Sequence, residues 1–226
     1  MIDTSELIHS LAVNAGPVKR LRPPLVRALG WLFCATILMI VLTVGHGLRP
    51  QFAERMQDGV FAINMMSSLM TGVLATIATF FVSLPDRSRW WLLLPAPALL
   101  PWLATIGYQC FAGWVPVPPG AVTVGAAAGC FATLALTSLP LSILTLGMLR
   151  YTAALRPTSV ILMASLAISA ITATALSMFH PLDATAMILG WNLGTALLFL
   201  GVAGLISRRL ARRSAASRLA SDRLDW

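Results

Sequence analysis

Six stretches of this chain run for about 20 residues or more without an Asp, Glu, Lys or Arg, the length that crosses a ~30 Å hydrocarbon core. They cover residues 28–48, 60–84, 90–114, 122–149, 158–178 and 184–206. A water-soluble chain of 226 residues has nowhere to hide that much apolar surface. Charged residues make up 11% of it, against about 25% in an ordinary soluble domain. The expected fold is therefore an all-α integral membrane protein, a bundle of six transmembrane helices. The fourth run is longer than one span needs, so its membrane part is expected to begin near Gly129.

Orientation follows from where the Lys and Arg residues fall. Lys19, Arg20, Arg22, Arg27, Arg87, Arg89, Arg150 and Arg156 share one side with the six arginines of the C-terminal tail, 14 in all. Arg49 and Arg55 are the 2 on the other side. The split predicts that both termini are cytoplasmic. It also explains the net charge of +8 as topology rather than nucleic-acid binding. Three segments result: a cytoplasmic N-terminal segment 1–27, a transmembrane domain 28–206 and a basic cytoplasmic tail 207–226. Residues 1–27 are not read as a secretory signal, because the run after them is long enough to span and no small-residue cleavage site follows it. Leu210, Leu219 and Leu224 amid the tail's arginines fit an interfacial helix or an unstructured tail, the interface being favoured.

The N-terminal segment opens with Asp3-Thr4-Ser5-Glu6, a capping box. A helix of about ten residues is predicted to follow and to stop by Asn14-Ala15-Gly16-Pro17, with Leu7, Ile8 and Leu11 on one face. So short a helix does not hold by itself in water. Its apolar face needs either the membrane interface or a soluble partner with a groove for it. The basic collar Lys19-Arg20-Leu21-Arg22-Pro23-Pro24 suits anionic headgroups.

Within the spans, Cys34 reads as a small buried apolar residue. The outer segment 46–58 is expected to lie along the surface with Phe52 and Met56 inward. Ser67, Ser68, Thr71, Gly72, Ala75, Thr76 and Thr79 give the second span the small residues of a central packing position, and Asn64 reads as interhelical glue. Pro95, Pro97 and Pro101 predict a kinked third span, and Pro140 a break in the middle of the fourth. Trp90, Trp91 and Trp114 are expected at the membrane interfaces.

The outer face collects the chemistry. Phe179-His180-Pro181-Leu182-Asp183 is a polar corner between the last two runs, with Asp183 placed to cap the next helix at Thr185 or Ala186. Cys110 and Cys130 flank the Pro-rich outer loop 115–121. In an oxidising compartment they could form a disulfide, act as sensor thiols, or join His180 and His46 in a soft metal site. Against this, their spacing matches no compact zinc motif, and cysteines are often simply buried. No cofactor is expected.

The same corner, followed by Met187-Ile188-Leu189-Gly190-Trp191, resembles the last-helix signature of the six-span negative regulator of sigma F family, membrane anti-sigma factors of proteobacteria. Residues 17–24, Gly47-Leu48-Arg49-Pro50 and Arg87-Ser88-Arg89-Trp90-Trp91 agree with it. So do Cys110 with Trp114, Cys130-Phe131, Leu139-Pro140 and Leu155-Arg156-Pro157, in order over about residues 5–206. The resemblance implies an inner-membrane protein that holds an extracytoplasmic-function (ECF) sigma factor through its N-terminal segment and releases it on an envelope signal. It makes Leu7, Ile8, Leu11, Lys19, Arg20 and Arg22 the sigma-docking residues. Cys110, Cys130, His180 and Asp183 become sensors of an oxidant or thiophilic metal. Some members carry a cysteine in the outer corner where this chain has His180. That leaves this chain to pair Cys110 with Cys130, to bind metal through His180, or to sense something else.

The competing class is a small-solute transporter or channel. Coupled carriers place ionisable groups inside the bilayer, and the six runs hold none. No inverted repeat of three plus three spans is evident. Neither a His-Glu-x-x-His nor a Gly-x-Ser-x-Gly motif occurs, so no enzyme is expected.

Overall fold

The computed structural model describes residues 4–13, 22–84, 86–112, 124–149 and 157–179, with positions 194, 197 and 201. All regular structure among the described residues is helical. Helix α1 covers Thr4–Val13, and the Asn-Ala-Gly-Pro stop predicted after it lies outside the described residues. Helix α2, Pro24–His46, opens on Pro24 in its first turn, where a missing N–H costs nothing. It ends at Gly47, whose φ of +80° a side chain would resist. A short helix, α3 (Phe52–Arg55), precedes α4 (Gly59–Val82). The carboxylate of Asp58 caps α4 by accepting from the Val60 N–H at 3.0 Å.

A 3-10 turn over Arg89–Leu93 leads into α5, Ala96–Ala112, followed by α6 at Val124–Leu149 and α7 at Pro157–Phe179. Five helical stretches are long and apolar enough to cross a membrane: Pro24–His46, Gly59–Val82, Arg89–Tyr108, Ala132–Leu149 and Thr158–Phe179. The sixth run lies outside the described residues except at 194, 197 and 201, which are helical.

Contacts fix the directions of the helices. The start of α2 meets the end of α6 through Arg27 and Met148, and the end of α2 meets the end of α7 through His46 and Phe179. Helices α4 and α7 run antiparallel, with Ser68 opposite Thr174 and Gly72 opposite Ile171. The end of the bundle at which α2 begins is called proximal here, and the opposite end distal. A proximal core gathers Trp31, Phe80, Leu149 and Val160; a distal core gathers Leu42, Trp102, Leu134, Leu176 and Phe179.

Helix α4 holds the central position its small residues predict. Ser67, Ser68, Thr71, Gly72, Ala75, Thr76 and Thr79 are all buried. All but one of their hydroxyls find acceptors where no water competes, Thr71 Oγ1 being the one buried without a partner among the described residues. Thr76 donates to the carbonyl of Gly72 at 2.8 Å and Thr79 to that of Ala75 at 2.7 Å. Ser68 bonds Thr174 across the interface at 2.9 Å. Asn64 accepts from Thr105 of α5 at 3.1 Å, the interhelical link expected of it.

Four expectations change. Pro140 does not break the fourth span: α6 runs continuously through it, since the turns on either side keep their bonds. The kink of the third span is instead a junction between the 3-10 turn and α5, where the one carbonyl of Pro95 accepts from the Ala98 and Leu99 N–H groups and its ring nitrogen donates nothing. Cys34 is exposed on the outward face of α2 rather than buried, because the packed face is taken by Ala28, Trp31 and Ala35. Arg49, expected on an amphipathic outer surface, is buried. Its backbone N–H donates to the Met178 carbonyl at 2.9 Å, which ties the outer segment to α7. Phe52 and Met56 are half-buried as expected, Phe52 packing edge-on to Phe61.

Candidate functional site

The proximal end joins the N-terminal segment to the bundle. Arg22 is exposed just before α2, and Lys19 and Arg20 lie outside the described residues. One turn into α2 the character reverses, and Arg27 is buried. Its Nη2 donates to the carbonyl of Met148, in the last turn of α6, and its guanidinium sits 5.1 Å over the ring of Phe80. Both contacts suit a cation: the C-terminal carbonyls of a helix carry its negative dipole end, and an aromatic face attracts positive charge. One turn further on, Trp31 Nε1 donates to Thr145 Oγ1 at 2.8 Å. That hydroxyl donates in turn to the Leu141 carbonyl at 2.7 Å.

Counting charges in the flanks misses Arg27, because it assigns the residue to the cytoplasmic segment ahead of the first span. The signal was Pro23-Pro24, which starts the helix early enough to place Arg27 inside it.

At the distal end, His46 stacks on Phe179 with ring centroids 5.1 Å apart, and its Nδ1 lies 3.1 Å from the Leu42 carbonyl. His46 is thereby set beside the residue that precedes His180. His180 and Asp183 themselves lie outside the described residues. Cys110 falls in the last turn of α5, beyond Thr105 on the distal side, and Cys130 in the second turn of α6, before Leu134. Helix register therefore puts both cysteine positions toward the distal end, while their side chains lie outside the described set. The same holds for the side chains of Leu7, Ile8 and Leu11, whose backbone forms α1. Among the described residues, no three His, Cys, Asp or Glu side chains converge as a metal site.

A bundle of apolar helices with a short helix ahead of it fits many membrane proteins, so comparison with known families decides the class. The family model described as negative regulator of sigma F matches residues 11–212. The chain belongs to the negative regulator of sigma F family. No curated protein and no solved structure gives a significant match. Membership in the negative regulator of sigma F family makes negative regulation of a sigma factor the role, and a sigma factor the partner. The matched region takes in every helix from α2 to α7, the sixth apolar run and Leu11, and it begins after Leu7 and Ile8.

Proposed function

We propose that the protein is a six-span inner-membrane anti-sigma factor with both termini in the cytoplasm. It captures an ECF sigma factor through α1 and the basic collar, and releases it when an oxidant or thiophilic metal acts at the outer face. The observation that carries this reading is the family match over residues 11–212. The structure supports it in two ways. An α1 of ten residues is too short to stand alone in water, so its Leu7, Ile8 and Leu11 face calls for a partner. The proximal end, where α2 begins, is also where α4 ends before Arg87 and Arg89, and where α6 ends and α7 begins, as a cytoplasmic face rich in arginine requires. Lys19, Arg20 and Arg22 add the positive rim.

Capture is tested by a pull-down of detergent-solubilised protein with and without residues 1–24, identifying co-purified soluble proteins by mass spectrometry. A sigma factor is expected with the full chain and not with the truncated one. Its absence from both would remove the anti-sigma reading; its presence in both would move the contact to the loops.

Sensing is proposed at Cys110 and Cys130, with His180 and Asp183 beside them. Under an oxidant the two thiols each lose a proton and together pass two electrons to it as the disulfide forms. A thiophilic metal would instead take the thiolates, with the His180 imidazole as a further ligand. A Cys110→Ser, Cys130→Ser double variant is expected to hold the sigma factor equally well in diamide, in zinc chloride and in plain buffer. Release that persists in the double variant would place the sensor elsewhere.

A further inference from the structure

Two side-chain hydrogen bonds from α2 to α6 lie on one side of a proline. Pro140 sits inside α6, and the residues that α2 grips, Thr145 and Met148, both follow it. Residues Arg27 and Trp31 are one turn apart on α2, so both grips come from a single face of that helix.

We propose that the part of α6 after Pro140 is a lever, tied to α2 by Arg27 on Met148 and Trp31 on Thr145, that passes the state of the distal end to the N-terminal segment. Its regulatory meaning rests on the reading of that segment as the sigma-capturing element; its mechanics do not. The geometry gives the lever its sensitivity. Met148 lies eight residues past Pro140, about 12 Å along the axis at 1.5 Å per residue. A change of about 20° in the bend at a proline therefore shifts that carbonyl by roughly 4 Å. No hydrogen bond survives such a shift without its donor following. Arg27 has Phe80 behind it and Met148 ahead, so a displaced carbonyl is followed by the start of α2, four residues into the helix.

The second tie makes slippage costly. Thr145 Oγ1 accepts from Trp31 and donates to Leu141, the residue directly after the proline. The indole is fully buried, so breaking the bond strands its N–H in an apolar surrounding. Trp31, Thr145 and Leu141 thus move together. Cys130 is on the other arm of the same helix, ten residues before the proline. One continuous helix therefore joins the proposed sensor to the start of α2, with its proline between them.

The test uses the full chain in lipid nanodiscs and reads tryptic cleavage after Lys19 and Arg20 by intact-mass spectrometry. Pro140→Ala restores a backbone N–H and removes the ring that weakens the helix at this point. With Arg27 and Trp31 present, it is expected to change the cleavage rate about five-fold, the lower end of ordinary coupling between sites. In an Arg27→Met, Trp31→Phe background, the same substitution is expected to change it less than about two-fold. Should that background fail to fold, Thr145→Val removes one acceptor at nearly constant volume and is expected to halve the coupling on a logarithmic scale. A Pro140→Ala effect that is absent, or equal in every background, would overturn the lever. The readout requires no sigma factor. A protein that captures none overturns the functional reading alone, and a failed coupling overturns the lever alone.

Discussion

Gly72→Leu is expected to dismantle the centre of the bundle. A Cβ built on Gly72 comes within 2.7 Å of Ile171 Cδ1, 2.8 Å of its Cγ1 and 3.3 Å of its backbone nitrogen. A rotamer change can move the two side-chain atoms, but the backbone nitrogen moves only if α7 moves. Alanine at this site therefore costs no more than about 1–3 kcal/mol of overpacking, partly offset by its roughly 1 kcal/mol better helix propensity. Leucine adds three further carbons to a space with none to spare, and α4 must part from α7. The Ser68–Thr174 bond, four residues away, goes with it. Ser68 and Thr174 satisfy each other in that seam, and in the bilayer no water replaces the lost partner. We expect the melting temperature of detergent-solubilised Gly72→Leu to fall by about 10 °C or more, on the scale of ~2–4 °C per kcal/mol for a chain of this size. Gly72→Ala should lose no more than about half of that. A Gly72→Leu protein that melts with the wild type would mean that the two helices are not in close contact at this point.

That site also shows what the sequence makes legible. Small and weakly polar residues clustered on one apolar run have a single physical use, close approach of helices, and α4 is central for that reason. The short N-terminal helix was legible as a local pattern, and α1 covers Thr4 to Val13.

What local signals cannot convey is which face of an apolar helix is packed. Cys34 and Ala35 are adjacent and similar in size, yet one is exposed and the other buried. With apolar residues all round α2, the choice belongs to its neighbours and not to its own pattern. The same is true of the two buried arginines. Each is the boundary charge of a span in sequence, and each turns inward because a carbonyl at the end of another helix is there to meet the chain: Met148 for the Arg27 side chain, Met178 for the Arg49 backbone. Pro140 carries a different lesson. A proline forbids one hydrogen bond, and a helix held on several sides keeps the rest. Of the proposed sensor, the sequence shows the parts, and the structure adds their level along the bundle through helix register and the seat of His46 on Phe179.

The second large effect concerns capture. Leu7→Asp, Leu11→Asp should lower the affinity of the full chain for its sigma factor by at least about 100-fold. The two positions are one helical turn apart, so they share a face of α1. Each leucine buried against a partner contributes roughly 1.5–3 kcal/mol, and about 1.4 kcal/mol is a factor of ten. Losing both accounts for two decades or more before any cost of forcing a carboxylate into an apolar groove is added. The variant also changes charge, so a control must separate the two causes. His9→Asp and Val13→Asp place the same carboxylates on α1 at positions that are exposed in the structure. If the Leu7, Ile8 and Leu11 face docks, this control pair should bind within about three-fold of wild type, as exposed charges are screened over a Debye length of ~8 Å. Equal loss in both pairs would assign capture to electrostatics, with Lys19, Arg20 and Arg22 as the centre of it. Full binding by the Leu7→Asp, Leu11→Asp protein would free α1 from the interface and hand the sigma factor to the loops at the proximal end. Isothermal titration of the purified sigma factor into nanodisc-held protein, at two salt concentrations, separates these outcomes, because an apolar contact holds its affinity in salt and a charged one does not.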